Sequence, residues 1–261
     1  MSEVIGVAGC GRMGFGMLTN LRKAGFDAKG FDIRPIDGVE TDVARFADDL
    51  TTVFTVVRDS PETDALLFDE QNLIKHAPSL KRIVVSSTLS PRYVKALRDR
   101  VPAHIALIDA PMSGAQVKAN AGTLTFMTGG AAAEIMPMLQ AMGDTVHDMG
   151  AFAAGMTAKV LNNLLAASHT AMTRLVLDWA DAEGVDESRL LALIATASGQ
   201  NWLASGFDDI EFARDGYAAD NSIGILAKDV ASALDIAPND AVDLPVAVRN
   251  AILGLSPRVK T

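Results

Sequence analysis

Short apolar runs alternate with amphipathic stretches through the first half of the chain. The runs are rich in aliphatic and β-branched residues and predict strands over residues 4–8, 28–31, 51–57, 82–86, 104–108, 123–128 and 145–148. Helical patterns lie between several of these runs, over residues 13–24, 62–68, 91–100 and 131–142. The connection 34–50 is brief, so only a stunted crossover helix is expected there. This βαβ rhythm predicts an α/β fold with a doubly wound, mostly parallel sheet that helices cover on both faces.

The pattern changes after Gly150. Residues 151–182 contain no convincing strand and predict one long, alanine-rich helix, and further helices are predicted over residues 187–197, 222–236 and 246–253. Lys159 and Arg174 within the long helix argue against its spanning a lipid bilayer. We therefore expect two domains, a sheet-containing domain over residues 1–150 and an all-α C-terminal domain over residues 151–261.

A glycine turn joins the first predicted strand to the first predicted helix. Its residues are Gly9, Cys10, Gly11, Arg12, Met13 and Gly14. In a Gly-x-Gly-x-x-Gly turn, the first glycine permits the tight bend, the second lets a pyrophosphate approach the backbone, and the third lets the helix pack close to the strand. The helix N-terminus adds free N–H groups and a partial positive charge. Three glycines at this spacing could arise by chance, but the strand, the helix and Asp32 after the second strand favour dinucleotide binding by this turn.

Composition excludes several classes of protein. With 49% apolar and 21% charged residues over 261 positions, the chain has the composition of a soluble globular protein. A formal net charge of −9 argues against nucleic-acid binding, and no apolar stretch reaches the length of a membrane span. Cys10 is the single cysteine and the N-terminus lacks a signal-peptide pattern, so a reducing, cytoplasmic location is expected. The four histidines show no metal-ligand spacing, so no metal site is expected.

Polar residues follow the carboxyl ends of two predicted strands. The segment 109–130 begins where the strand 104–108 ends, which is where open α/β sheets bind ligands. The Ser113 hydroxyl and the unobstructed N–H of Gly114 could hold a carboxylate there, although a turn rich in Gly and Ser is the equal alternative. The segment 86–91 follows the strand 82–86, and capping of the next helix is the simpler explanation for its polar residues.

A polar stripe interrupts the long predicted helix. Lys159 and Asn163 are four residues apart and share one face, and Asn162 flanks that face. Asparagine is a poor helix former, so this pattern favours a buried polar site over a solvent-facing stripe. Lys228 and Asp229 stand in a later helix and, taken alone, predict only a surface pair.

Four segments in this order resemble the β-hydroxyacid dehydrogenase family. The family includes 3-hydroxyisobutyrate dehydrogenases, tartronate semialdehyde reductases and, more distantly, 6-phosphogluconate dehydrogenases. Gly9–Met17 is similar to the family's cofactor turn and Asp109–Gly130 to its substrate-binding signature. Gly155–Asn163 is similar to its catalytic helix, and Lys228-Asp229 matches a further lysine–aspartate pair.

The resemblance implies roles for individual residues. Lys159 would be the catalytic acid/base, with Asn163 beside it as a catalytic and substrate contact. Ser113, Gly114 and Lys228 would bind the substrate and its carboxylate, and Ser87 and Thr88 would lie near the nicotinamide. The resemblance also implies a Rossmann-type domain joined to an all-α substrate and oligomerisation domain with a cleft between them, and assembly into homodimers or homotetramers.

Residues 32 and 34 bear on the choice of cofactor. An acid at the end of the second strand bonds the ribose hydroxyls and repels a 2′-phosphate, so Asp32 favours NAD. Arg34 could instead bind that phosphate or stack on adenine, which keeps NADP open as the cofactor.

These observations together predict an oxidoreductase that moves a hydride between the nicotinamide and a small, carboxylate-bearing β-hydroxy acid, or the matching semialdehyde or keto acid. Imine reduction on the same scaffold is one alternative, which Lys159 disfavours because relatives with that activity typically lack the lysine. A dinucleotide-binding module without catalysis is the other.

Overall fold

A computed structural model describes residues 3–238 and 241–259 of the chain. The chain forms two compact units, Met1–Lys159 and Val160–Thr261. The first contains the parallel sheet and the second contains the helical C-terminal region, so the predicted fold class is confirmed. In the described part of the chain, no helix combines the length and the apolar character that a membrane span needs.

The first unit is built on a five-stranded parallel sheet of strand order β2-β1-β3-β4-β5. Its strands are β1 Val4–Ala8, β2 Asp27–Phe31, β3 Thr52–Thr55, β4 Arg82–Val85 and β5 Ala106–Asp109. Alternate residues of β1 enter two different apolar clusters, with Ile5 and Val7 in one and Val4 and Ala8 in the other. Strand β1 is therefore buried on both faces, which explains why it is a continuous apolar run.

Short helices connect these strands. They are α1 Gly14–Lys23, α2 Val43–Ala47, α3 Ser60–Leu67, α4 Leu73–His76 and α5 Pro91–Arg100. Helix α2 has only five residues, as the brief connection predicts, and Asp42 caps it by accepting from the backbone N–H groups of Ala44 and Arg45. Helix α4 is absent from the sequence prediction, because four residues are too few to show a helical period.

A smaller, three-stranded sheet completes the first unit. Its elements are β6 Met112–Ser113, α6 Ala115–Ala121, β7 Leu124–Thr128, a 3-10 turn Ala133–Ile135, α7 Met136–Met142 and β8 Gly143–Asp148. Strand β7 pairs antiparallel with β6 and parallel with β8, and a bridge between Asp109 and Gly129 ties it to β5. Strand β6 and helix α6 are absent from the sequence prediction, because α6 buries only Ala119 and so shows no apolar face.

The second unit consists of helices. Helix α8 Ala154–Ala182 begins in the first unit and is followed by α9 Glu187–Thr196, α10 Trp202–Ser205, α11 Ser222–Leu234 and α12 Asp243–Leu253. The apolar faces of α8, α11 and α12 form one cluster, and a smaller cluster surrounds Leu177 and Phe207. Helix α8 ends where Gly184 adopts a φ of +72°, a left-handed conformation that glycine allows without strain.

A charged network ties the segment after α12 to α8 and α9. Arg258 is 9% exposed, and its guanidinium donates to Glu187 at 2.6 Å and to Asp178 at 2.7 Å and forms an ion pair with Asp181 at 2.7 Å. Arg174 is also buried, and its guanidinium donates to the backbone carbonyl oxygens of residues 213, 215 and 256. Arg174, Asp178, Asp181 and Arg258 border a cavity of about 360 Å³ within the helical unit.

Candidate functional site

The glycine turn has the backbone geometry that its sequence predicts. Gly9 adopts a φ of +96°, and a Cβ there would lie 2.6 Å from the carbonyl oxygen of Val56. A Cβ on Gly14 would lie 2.0 Å from the carbonyl oxygen of Gly9, so the start of α1 must approach the turn without a side chain. A Cβ on Gly11 would meet only the tip of Arg34, at 3.4 Å. Gly9 and Gly14 are therefore required by packing, while Gly11 leaves an open approach to the backbone.

That open approach fits a dinucleotide pyrophosphate. Among the described residues, no side chain caps the N-terminus of α1 and no acidic residue lies in its first turn. The Phe15 N–H already donates to the carbonyl oxygen of Gly11, but the positive end of the helix dipole is left for an anion. Arg12 is exposed within the turn, while Met13 is partly buried against the apolar core.

Cys10 fills the turn and is unsuited to nucleophilic chemistry. Its thiol is buried and donates to the carbonyl oxygen of Val7 at 3.3 Å. Burial raises the pKa of Cys10 to about 12, so the thiol is protonated at neutral pH.

Asp32 lies where an acid that binds ribose is expected, and it is already bonded to Arg34. Asp32 is 6% exposed at the end of β2. The Arg34 backbone N–H and Nε both donate to its Oδ1 at 3.0 Å, and Nη2 donates to Oδ2 at 3.3 Å. The hydrogen bond and the charge of Asp32 raise the pKa of Arg34 above its ordinary value. A carboxylate offers about four acceptor positions, so Asp32 retains capacity for a further donor.

The polar residues after β4 divide between two tasks. Ser90 is the N-cap of α5 and accepts from the backbone N–H groups of Arg92 and Tyr93. Ser87 is buried, and its hydroxyl donates to the carbonyl oxygen of Thr55 at the end of β3. Ser87 and the partly buried Thr88 therefore stand at the carboxyl edge of the sheet without serving as the cap.

The segment 109–130 forms an edge of the smaller sheet and a turn. Ser113 is partly buried at the end of β6, and Gly114 precedes α6 with a φ of +138°. Ala115 adopts a φ of +56°, a left-handed conformation that costs a residue with a Cβ about 1 kcal/mol. The turn thus presents the Ser113 hydroxyl and the Gly114 backbone as two adjacent polar groups.

Asp109 opens this segment and has a structural role that sequence reasoning missed. Its carboxylate is fully buried and accepts from the backbone N–H groups of Ala153 at 2.6 Å and Met156 at 2.5 Å. Burial raises the pKa of Asp109, although its backbone hydrogen bonds act in the opposite direction. These two donors lie at the start of α8.

The polar face of α8 is buried, as its sequence predicts. Lys159 is 6% exposed and Asn163 is 8% exposed, while Asn162 faces outward. The Asn163 side-chain amide donates to Asp229 Oδ2 at 2.6 Å and accepts from Asn162 at 3.2 Å. The Asn163 amide is therefore held in one orientation.

The Lys228-Asp229 pair is not a simple surface pair. Lys228 is partly exposed and its Nζ lies 3.7 Å from Asp229 Oδ1, but Asp229 itself is buried. The apolar stripe of α11 indicates the burial of Asp229, because residue 229 lies three positions after Leu226 and four before Ala233, and both of these residues are buried.

Two family models cover nearly all of the chain. A model described as the NAD binding domain of 6-phosphogluconate dehydrogenase matches residues 4–150. A model described as NAD-binding of NADP-dependent 3-hydroxyisobutyrate dehydrogenase matches residues 153–253.

Dehydrogenases match this chain over most of its length and most of their own. An L-threonate dehydrogenase of Cupriavidus necator is 30% identical over 94% of this chain and 87% of its own. An NAD-dependent L-serine dehydrogenase of Pseudomonas aeruginosa is 31% identical over 93% of this chain and 88% of its own. The crystal structure of a 3-hydroxyisobutyrate dehydrogenase from Salmonella typhimurium shares the fold, with a TM-score of 0.78 at 24% identity over 97% of this chain and 92% of that one. The chain belongs to the β-hydroxyacid dehydrogenase family of NAD(P)-dependent oxidoreductases.

Proposed function

We propose that this chain oxidises a small β-hydroxy acid, or reduces the matching semialdehyde or keto acid, with Lys159 as the general acid/base. The observation that carries the proposal is the buried amine of Lys159, one helical turn before the buried and oriented amide of Asn163. The related L-threonate, L-serine and 3-hydroxyisobutyrate dehydrogenases act on small hydroxy acids, which supports this substrate class.

The first unit would hold the cofactor, and we propose residues 1–150 as its dinucleotide-binding domain. The backbone at Gly9, Gly11 and Gly14 would bind the pyrophosphate, and Asp32 would bond the adenosine ribose. Arg12, Met13 and Arg34 flank these groups, and Ser87 and Thr88 are proposed contacts of the nicotinamide. When bound, the nicotinamide supplies the hydride acceptor for oxidation and the hydride donor for reduction.

Lys159 would move the proton. In oxidation its neutral amine accepts the proton of the substrate hydroxyl, and in reduction its ammonium returns a proton to the carbonyl oxygen. Asn163 would orient the substrate oxygen, because the hydrogen bond that the Asn163 amide donates to Asp229 already holds that amide in place. Ser113, Gly114 and Lys228 offer a hydroxyl, a backbone N–H and an ammonium, which are the donors that a substrate carboxylate needs.

NAD is the proposed preferred cofactor. The buried Asp32 carboxylate accepts ribose hydroxyls and repels a 2′-phosphate. Arg34 offsets part of that repulsion, because its guanidinium is bonded to Asp32, so use of NADP with lower efficiency is expected.

We also propose that the chain is a cytoplasmic homodimer or homotetramer, without nucleic-acid or membrane partners. Residues 151–261 would form the substrate and oligomerisation domain. Exposed apolar side chains recur along α8 at intervals of four, seven, three and four residues, which fit a heptad seam with Ser168 at its one polar position. They are Leu161, Leu165, Met172, Leu175 and Trp179. An exposed apolar stripe of this kind favours burial against a second copy of the helix.

The test of this function is Lys159→Ala, measured beside Lys95→Ala, which changes an exposed lysine on α5. Wild-type protein is first screened with L-threonate, L-serine, 3-hydroxyisobutyrate and related short acids, with NAD and with NADP. We expect Lys159→Ala to lose at least about a thousandfold in kcat while NADH binds with an unchanged Kd. The control should match wild type.

Three outcomes would contradict the proposal. Near-normal turnover by Lys159→Ala would remove the lysine from the chemistry. Oxidation of NADPH by cyclic imines but by no keto acid or semialdehyde would indicate imine reduction. Binding of NADH without turnover on any substrate would leave a dinucleotide-binding module.

A further inference from the structure

A single buried carboxylate organises the start of helix α8. Asp109 ends β5, and its two carboxylate oxygens accept from the N–H groups of Ala153 and Met156, which are 44 and 47 residues further along the chain. The Asp109 backbone exchanges two hydrogen bonds with Gly129 at the end of β7, at 2.8 and 3.1 Å. The ends of two strands and the first turn of α8 therefore meet at one side chain.

The space around this carboxylate is closed. A Cβ on Gly129 would lie 2.3 Å from Asp109 Oδ1, and a Cβ on Gly155 would lie 2.9 Å from Oδ2 and 2.4 Å from the carbonyl oxygen of Met127. Both glycines let backbone approach the carboxylate more closely than any side chain permits. The helix start has no room to shift without breaking these contacts.

The backbone is also strained at this point. Ala153 is fully buried and has a φ of +72°, in the left-handed region that disfavours residues with a Cβ. A strained conformation persists only where surrounding contacts determine it, and the N–H of Ala153 donates to Asp109 Oδ1. The carboxylate therefore stabilises the bend from which α8 departs.

Lys159 lies one turn beyond this anchor. Met156, whose N–H donates to Asp109 Oδ2, precedes Lys159 by three residues on the same helix. The Met156 side chain is held as well, because the Leu89 N–H donates to its sulfur at 3.4 Å. The helical phase and axial position of Lys159 are thus set by contacts to the end of β5 and to the segment after β4.

We infer that Asp109 is a positioning residue for Lys159, which fixes the first turn of α8 so that the amine stands at the place the proton transfer requires. This inference rests on the proposed role of Lys159 as the acid/base. A displacement of about 1 Å at a catalytic group costs roughly a hundredfold in rate. Asp109 does not touch the substrate in this scheme, so its loss affects kcat and leaves substrate and cofactor binding intact.

The test compares Asp109→Asn with wild type, with Lys159→Ala and with the double variant. Asparagine keeps the size of Asp109 but replaces one acceptor oxygen by an amide donor that would face a backbone N–H. Asp42→Asn is the matched control, because Asp42 also accepts from two backbone N–H groups at a helix start in the same unit. Each protein is measured for kcat, KM and NADH Kd, and for its unfolding midpoint in urea.

We expect Asp109→Asn to lower kcat about ten- to hundredfold, with KM and NADH Kd changed by less than about threefold. The double variant should be no slower than Lys159→Ala, because a positioning residue has no effect once the group it positions is gone. Asp42→Asn should keep both its stability and its kcat, because a single oxygen of Asp42 accepts both N–H groups and asparagine retains such an oxygen. If Asp109→Asn does not fold, Gly155→Ala is the second variant. Its Cβ would push the first turn of α8 away from Asp109 Oδ2 and from the carbonyl oxygen of Met127 while the carboxylate is retained, and the same loss confined to kcat is expected.

The inference is overturned if the folded variant keeps kcat within about twofold of wild type, or if its loss multiplies with that of Lys159→Ala. It is also overturned if KM and Kd worsen as much as kcat. Retained activity in Lys159→Ala alone would instead show that the proposed acid/base is wrong, so the two failures are distinguishable.

Discussion

Replacing Gly11 by alanine separates cofactor binding from folding. The new Cβ would have one neighbour, the Arg34 Nη2 atom at 3.4 Å, and that atom ends a flexible, exposed side chain. No left-handed φ is required at Gly11. We therefore expect the free energy of unfolding to stay level or to rise by about 0.4–1 kcal/mol, since alanine reduces the entropy of the unfolded chain.

The same methyl group should weaken cofactor binding strongly. It would occupy the open approach to the turn backbone, where a pyrophosphate oxygen must come within hydrogen-bond distance. Loss of one charge-assisted hydrogen bond costs about 1.5–3 kcal/mol, which corresponds to a ten- to hundredfold rise in Kd. Titration of NADH fluorescence gives the Kd, and urea unfolding gives the stability.

Gly25→Ala is the matched control, because it should show the opposite behaviour. Gly25 has a φ of +88°, and no atom of the described residues would lie within 4 Å of a Cβ added there, so alanine would be strained without a clash. We expect a loss of about 1 kcal/mol in stability and an unchanged NADH Kd. Binding of NADH by Gly11→Ala within about threefold of wild type would refute the assignment of this turn to the pyrophosphate.

Three other predictions follow from single side chains. Arg34→Ala should lower kcat/KM for NADP about tenfold more than kcat/KM for NAD, because Asp32 would then face the 2′-phosphate without a countercharge. An unchanged ratio of kcat/KM for NADP to kcat/KM for NAD would contradict this prediction. Iodoacetamide should alkylate Cys10 about a thousandfold more slowly in folded than in unfolded protein at pH 8, because burial raises the pKa of Cys10 from 9.0 to about 12. Mass spectrometry measures the two rates, and equal rates would show that the folded protein has an accessible thiolate. Burial opposes ionisation of Glu187, but the hydrogen bonds from its two arginine partners outweigh burial and lower its pKa, so its contribution is present at neutral pH and lost as pH falls below about 4.5. Glu187→Gln should cost about 3 kcal/mol at pH 7 by urea unfolding and flatten the acid loss of stability, and a variant as acid-sensitive as wild type would disprove the assignment.

Features that depend on neighbouring residues could be predicted from the sequence. The glycine turn needs only a strand, three glycines and a helix within about ten positions, and each requirement is visible in residues 4–14. The burial of Lys159 and Asn163 followed from their spacing on an apolar helix, because the helical period carries that information. The substrate and cofactor roles of these residues stay predictions.

Features that depend on distant backbone could not be predicted in this way. The partners of Asp109 are N–H groups more than forty residues away. Every residue except proline has a backbone N–H, so the residue types in the sequence do not show which N–H groups Asp109 binds. Helix α6 was missed because it buries a single alanine. Asp229 is buried although its charge predicts a surface residue, and only its position in the apolar stripe of α11 indicates that burial.

The charged network around Arg258 has a consequence for the order of folding during synthesis. Asp178, Asp181 and Glu187 emerge from the ribosome 71 to 80 residues before the guanidinium that pairs with them. Until then Glu187 has Arg214 as its ion-pair partner, but Asp178 and Asp181 lack the guanidinium that pairs with them in the folded unit. Nascent chains truncated before that residue should therefore be more easily cleaved by proteases in this region than chains that include it.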